Sequence, residues 1–160
     1  MQFQWLYSDT KLGSSPAETN HTPIGTGSLP ELLKEWILKE PDANWIAAEL
    51  ECSSTIDTLI QDFRNDKAIA VSDGSFHPEH KVGTAAWTIE SWDGTEYIRG
   101  GGRIPGHPEA QGSYRSELGG LLGIAIGVVG LEKLAETGAE IIVGCDGESA
   151  LHQSMTKNIE

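Results

Sequence analysis

Positive charge is scarce in this chain. Eleven Lys and Arg face 24 Asp and Glu, for a formal net charge of -13. The deficit is even, with -7 on residues 1–66 and -6 on residues 67–160. Tight, nonspecific nucleic-acid binding rests on Lys and Arg neutralising phosphates, and this composition argues against it. An enzyme whose metal ions supply positive charge locally remains compatible. Cysteine is nearly absent as well. Cys52 and Cys145 stand far apart, and neither belongs to a C-x-x-C pair. A disulfide framework is thereby excluded, and a reduced intracellular setting fits. The opening MQFQWLYSDTKLGSS lacks a basic segment followed by an apolar run and does not read as a secretory signal. The longest near-apolar stretch, residues 118–131, has 14 residues, five of them Gly. That is too short for a bilayer core of about 30 Å. There is no internal repeat.

What is present suffices for a packed core: 38% hydrophobic residues, including five Trp. A length of 160 residues suits one domain plus an extension. Residues 1–66 read as that N-terminal extension. Gly, Ser, Thr, Pro and Asn dominate residues 13–28 and predict a loop or linker, with Trp5, Leu6 and Tyr7 as a short docking strand before it. From Ser28 a helix is expected. Ser28 and Glu31 form a capping-box pair, Pro30 occupies the first turn, and Leu29, Leu32, Leu33, Trp36 and Ile37 make one apolar stripe that stops at Pro41. A second helix is expected at 55–64, with Ile56, Leu59, Ile60 and Phe63 on one face. Both helices pack on the following domain, because alone they bury too little.

The pattern changes at Lys67, where residues 67–160 read as an α/β domain. Residues 68–71 are a short apolar strand that stops at Ser72-Asp73-Gly74-Ser75. Residues 82–91 predict a second strand, Asp93-Gly94 a tight hairpin turn, and 96–100 the returning strand. Residues 100–111 read as a Gly/Pro loop. Residues 113–137 predict a long helix with a broad apolar face (Leu118, Leu121, Leu122, Ala125, Val128, Val129, Leu131) and Gly138 as its C-terminal cap. Interior Gly costs about 1 kcal/mol relative to Ala. Gly119, Gly123 and Gly127 nevertheless recur every fourth residue, so that face is expected to approach a sheet closely. Residues 140–145 are another buried strand ending at Asp146-Gly147, and a short helix starts at Glu148 or Ser149. The order predicts a mixed sheet: an antiparallel meander, then a helical crossover to a parallel strand.

Three carboxylates stand out in that order. Asp73 and Asp146 each follow an apolar strand and precede a Gly, and Glu117 lies in the first turns of the connecting helix. Singly, an Asp-Gly is a turn and a Glu near a helix start is a dipole complement. Together, parallel neighbouring strands would bring both Asp residues to one sheet end, the usual ligand position of open α/β sheets. Three clustered carboxylates need a cation or protonation to coexist. An all-oxygen donor set selects Mg²⁺ or Mn²⁺, and a pair of such ions suits phosphodiester hydrolysis.

The motifs Val-Ser-Asp73-Gly-Ser-Phe, Gly-Thr-Ala-Ala-Trp87, Tyr-Arg-Ser-Glu117-Leu and Cys-Asp146-Gly-Glu-Ser-Ala-Leu resemble type 1 ribonuclease H, most closely the version attached to retroelement reverse transcriptases. The resemblance covers residues 68–153. It implies a ribonuclease-H-like mixed sheet and a magnesium-dependent endonuclease hydrolysing the RNA strand of RNA–DNA hybrids. It also implies Asp73 bridging two metal ions, with Glu117 and Asp146 holding one each. Ser75 would contact substrate, and Ser113, Tyr114 and Ser116 lie where the family grips the hybrid backbone. The family carries a fourth acidic residue, a fifth strand and a final helix, and these are expected to be missing here. The alternative is a catalytically inactive remnant that serves at most as a nucleic-acid or protein interaction module. A further alternative gives that role to the apolar stripe of the 29–37 helix. His77-Pro-Glu-His80 reads as a loop tip, Cys145 as core, the Trp residues at 36, 45, 87 and 92 as packing, and Arg103 as a substrate-facing side chain on a flexible turn.

Overall fold

Between residues 69 and 103 the chain alternates buried and open positions with period two, which is the mark of strands covered on one face only. The computed structural model describes residues 4–6, 28–40 and 44–145. Its strands are β1 (Gln4–Leu6), β2 (Glu51–Cys52), β3 (Ile69–His77), β4 (Val82–Glu90), β5 (Tyr97–Arg103) and β6 (Ile141–Cys145). Its helices are α1 (Leu29–Leu38), α2 (Asp57–Arg64) and α3 (Ser113–Ala135), with a 3-10 turn at Pro108–Ala110. The strands form one mixed sheet in the order β1-β6-β3-β4-β5-β2. β3, β4 and β5 make the antiparallel meander, and β6 joins β3 in parallel from Ile69↔Ile142 to Ser72↔Cys145. The expected α/β class with a mixed sheet is therefore present. The loop expected at 13–28 (apart from Ser28), Tyr7, the stop at Pro41, the Asp146-Gly147 turn and the helix after it lie outside the described residues.

Two short strands complete the sheet from the N-terminal segment. β1 pairs antiparallel with β6 and covers that edge of the sheet. β2 pairs antiparallel with β5 at the opposite edge. Neither is long enough to show a hydrophobic period. The 28–66 segment also shares the core. Leu33, Ile37, Ile46, Leu59 and Phe63 belong to the same buried cluster as Trp87, Ile89, Leu131 and Val143. The Ser28 N–H donates to Glu31 Oε2 at 3.3 Å, in keeping with a capped start to α1. At α2 the cap comes from elsewhere. Ile56 at its N-cap offers no side-chain oxygen. Instead the nearly buried Glu96, on the β4–β5 hairpin, accepts from the Leu59 N–H and the Thr55 hydroxyl, both at 2.8 Å.

Three boundaries differ from the sequence expectation, each for a tertiary reason. β3 does not stop at Ser72 but runs on to His77, because β4 offers it a full ladder out to His77↔Val82. Asp73 is thus mid-strand, and His77-Pro-Glu-His80 is the hairpin tip beyond it. Gly100-Gly-Gly-Arg103 is strand and not loop. The segment 44–49 lies directly against it, where a Cβ on Gly102 would meet the carbonyl carbon of Trp45 at 2.9 Å. α3 ends at Ala135, whose carbonyl accepts from Arg64 Nε at 3.1 Å. Glu136, and not Gly138, takes the left-handed conformation there, with φ 56°.

The expectation for the glycine face of α3 holds. A Cβ on Gly127 would lie 2.7 Å from Ile89 Cδ1, and one on Gly123 would lie 2.5 Å from the indole nitrogen of Trp87. Trp87 is held in place by donating to the Ile46 carbonyl at 3.1 Å. The helix rests on the sheet through these positions, with Ile124, Val128, Leu131 and Ala135 buried beside them. Leu122 and Val129, expected in the core, are 44% and 47% exposed. By length and composition α3 could cross a membrane, but its packed glycine face accounts for that apolarity as core. Trp92, expected to pack, is exposed on the β4–β5 hairpin.

Two substitutions test this packing. Gly123→Ala gains helix propensity of about 1 kcal/mol but forces a methyl into Trp87 at about 1–3 kcal/mol, so a net loss of up to about 2 kcal/mol is expected in urea unfolding. Glu96→Ala strips the cap from α2 and is expected to cost about 1–2 kcal/mol in the same assay.

Candidate active site

The site begins with how closely α3 meets β3. Gly112 is its extended N-cap, and its carbonyl accepts from the Ser116 N–H at 3.1 Å. The preceding loop is strapped to the helix start. Arg115 Nη2 donates to the Pro105 carbonyl at 2.9 Å, and the Gln111 amide lies 3.3–3.4 Å from the carbonyls of residues 104, 105 and 106. Held in this way, the first turn of α3 crosses β3 at Gly74. A Cβ there would fall 2.5 Å from the carbonyl carbon of Ser116 and collide with the Glu117 backbone nitrogen. Only glycine fits, so the Asp73-Gly74 pair is a contact requirement in mid-strand and not a turn.

β3 and β6 pair as far as Ser72↔Cys145. From Asp73 onward, among the described residues, β3 is paired only with β4. Asp73 therefore stands where the parallel pair ends, with its side chain on the exposed face of the sheet. The half-buried Glu117 reaches the same end of β6. The Cys145 thiol donates to its Oε2 at 3.5 Å. Glu117 thus lies against Gly74, the neighbour of Asp73, through its backbone, and against Cys145 through its side chain. Asp146, covalently next to Cys145, lies outside the described residues. Among the described residues no three His, Cys, Asp or Glu side chains form a metal-holding group. The oxygen donors of Asp73 and Glu117 suit a hard cation in kind.

The serines expected at the substrate separate. Ser75 is exposed on the same sheet face as Asp73. Ser113 and Tyr114 are exposed in the first turn of α3. Ser116, expected beside the substrate, is fully buried, and its hydroxyl donates back to the Gly112 carbonyl at 3.2 Å. It packs under Gly83 and does not reach the surface. Ser72 is also buried, against Gly120, and among the described residues its hydroxyl has no hydrogen-bond partner.

Among the described residues no helix covers the face that carries Asp73, and a shallow cavity of about 800 Å³ opens along it. Sequence reasoning missed one feature of this cavity, because its parts lie nearly fifty residues apart. Arg99 Nε and Nη2 both donate to Glu51 Oε2, at 3.0 and 2.7 Å, tying β5 to β2. Tyr97 adds its hydroxyl to Glu51 Oε1 at 3.1 Å. The Arg99 hydrogen bonds, then that of Tyr97, hold the Glu51 carboxyl below the usual range, while Glu51 raises both the Arg99 guanidinium and the Tyr97 phenol. Comparison of the chain with family models, curated proteins and solved structures finds no match.

Gly74→Ala tests the contact that assembles the site. Backbone on both sides resists the added methyl, so a loss of about 1–3 kcal/mol is expected in chemical denaturation. Gly112→Ala, which meets nothing within 4 Å, is the matched control.

Proposed function

We propose that this chain is a metal-dependent nuclease of the ribonuclease H type, acting on the RNA strand of RNA–DNA hybrids. One observation carries the reading: Glu117 lies against both Gly74, the neighbour of Asp73, and Cys145, the neighbour of Asp146. The ordered motifs of the sequence support the same reading, as does the mixed sheet with its antiparallel meander and parallel β6.

In this proposal Asp73, Glu117 and Asp146 hold magnesium, or manganese in its place, as a pair of ions. When bound, such ions lower the pKa of a water and stabilise the leaving oxygen of a phosphodiester. The chain's own residues do the placing. Gly74 lets α3 bring Glu117 down to the sheet. Asp73 faces the open side, where a nucleic-acid strand has access. Ser75, two residues along the same face, offers a hydroxyl to that strand. Carboxylates gathered around one cation would repel one another without it, which would couple metal binding to order at the site. The net charge of -13 favours a second reading, in which the fold persists as a non-catalytic interaction module.

Magnesium-dependent cleavage of a labelled RNA–DNA hybrid by the purified chain, beside Asp73→Asn, separates the two. Loss of an outer-shell partner alone typically costs about 10–100-fold. Removal of a ligand charge is therefore expected to lower the rate by about 100-fold or more with the unfolding midpoint retained. A folded wild-type chain that leaves the hybrid intact, or a variant that cuts equally well, would contradict the nuclease reading.

A further inference from the structure

The open sheet face carries a second polar feature beside Asp73. In register, Ser75 pairs with Thr84, and Thr84 with Arg103. All three side chains share the face of Asp73, because side chains alternate along each strand and Asp73 and Ser75 are two residues apart. Adjacent strands lie about 4.8 Å apart, so the row spans about 10 Å from the first hydroxyl to the base of the guanidinium. One row over, Asp73 aligns with Ala86 and Gly101. Those small residues keep the floor low, and the cavity runs over both rows.

The two arginines of this face differ. Arg99 is committed to Glu51. Arg103 is exposed and, among the described residues, forms no ion pair. Of the acidic residues that line the cavity, Asp73 lies one row over and two strands away, about 12 Å between backbones. Glu51 is bound to Arg99, and Glu90 lies six residues along β4 from Thr84, about 20 Å away. Glu49 also lines the cavity, from the segment preceding β2. Among the described residues, a chain of net charge -13 thus keeps a cation outside any ion pair, at the end of a row of two hydroxyls, on the face that carries Asp73. A guanidinium with adjacent hydroxyl donors is the chemistry that grips a phosphodiester backbone.

We infer that Ser75, Thr84 and Arg103 form a phosphate-backbone subsite that steers a nucleic-acid strand across the open sheet face toward Asp73. The inference rests on the proposed nuclease reading for its ligand, and it adds a positioning role for Thr84 and Arg103. Arg103 acts by binding and takes no part in the chemistry.

The test is fluorescence anisotropy of a labelled RNA–DNA hybrid with the full chain in EDTA, at several salt concentrations. Wild type is compared with Arg103→Gln, Thr84→Val and Arg99→Gln. Arg103→Gln is expected to weaken binding about tenfold and to lower the salt slope by about one. Thr84→Val weakens binding less, and Arg99→Gln leaves it within about twofold. Equal binding by Arg103→Gln and wild type overturns the subsite, as does a wild-type chain that binds no hybrid. The two proposals fail separately. Asp73-dependent cleavage with unchanged Arg103→Gln binding leaves the nuclease reading standing without the subsite. Arg103-dependent binding without magnesium-dependent cleavage leaves the subsite on a chain that binds but does not cut.

Discussion

The close approach of α3 to the sheet is the constraint on which the rest of the structure depends. At Gly123 and Gly127 the helix touches the Trp87 and Ile89 side chains with no room for a methyl group, and at Gly74 helix backbone meets strand backbone. An interior Gly costs a helix about 1 kcal/mol, and α3 carries five of them between residues 119 and 130. Packing over the length of the helix offsets that cost, because burial of Trp87, Ile89, Ile124 and Leu131 follows from the short helix–sheet distance. The same distance brings Glu117 to the end of β6. Stability and the candidate site therefore share one origin.

The electrostatics follow from composition. With so little positive charge, each basic residue near the open face has an identifiable role. Arg99 closes the sheet edge through Glu51, and Arg103 is left facing the cavity. Arg64 serves the far end of the core, where it terminates α3. Attraction for a polyanion has to be local in such a molecule, from a bound cation or a single guanidinium, because the surface as a whole repels it.

Much of this architecture was legible in the sequence where the cause is local. The hairpin turn at Asp93-Gly94 was, since Gly94 takes φ 73°, a conformation that favours glycine. So was the fourfold spacing of Gly119, Gly123 and Gly127, since helical periodicity turns spacing into a face. The approach of the start of α3 to the strand that carries Asp73 followed from element order. What stayed hidden depends on distant partners. Ser72 to His77 has poor strand propensity and is held extended by β4. Gly100 to Gly102 reads as a loop until the 44–49 segment is laid against it. Glu96 caps a helix that starts 39 residues earlier in the chain, beyond any local motif. β1 and β2 are too short to carry a period. Ser116 fits a binding motif by type, and only packing shows that it faces inward.

The central claim is that the contact of α3 with β3 makes Asp73 and Glu117 parts of one cation site. Manganese binding to the purified chain, followed by electron paramagnetic resonance, tests it without reference to any activity. Binding weakened about tenfold or more by Asp73→Ala and equally by Glu117→Ala is the predicted result, as expected of two ligands of one ion. Manganese bound as tightly by Glu117→Ala as by the wild-type chain would contradict the account.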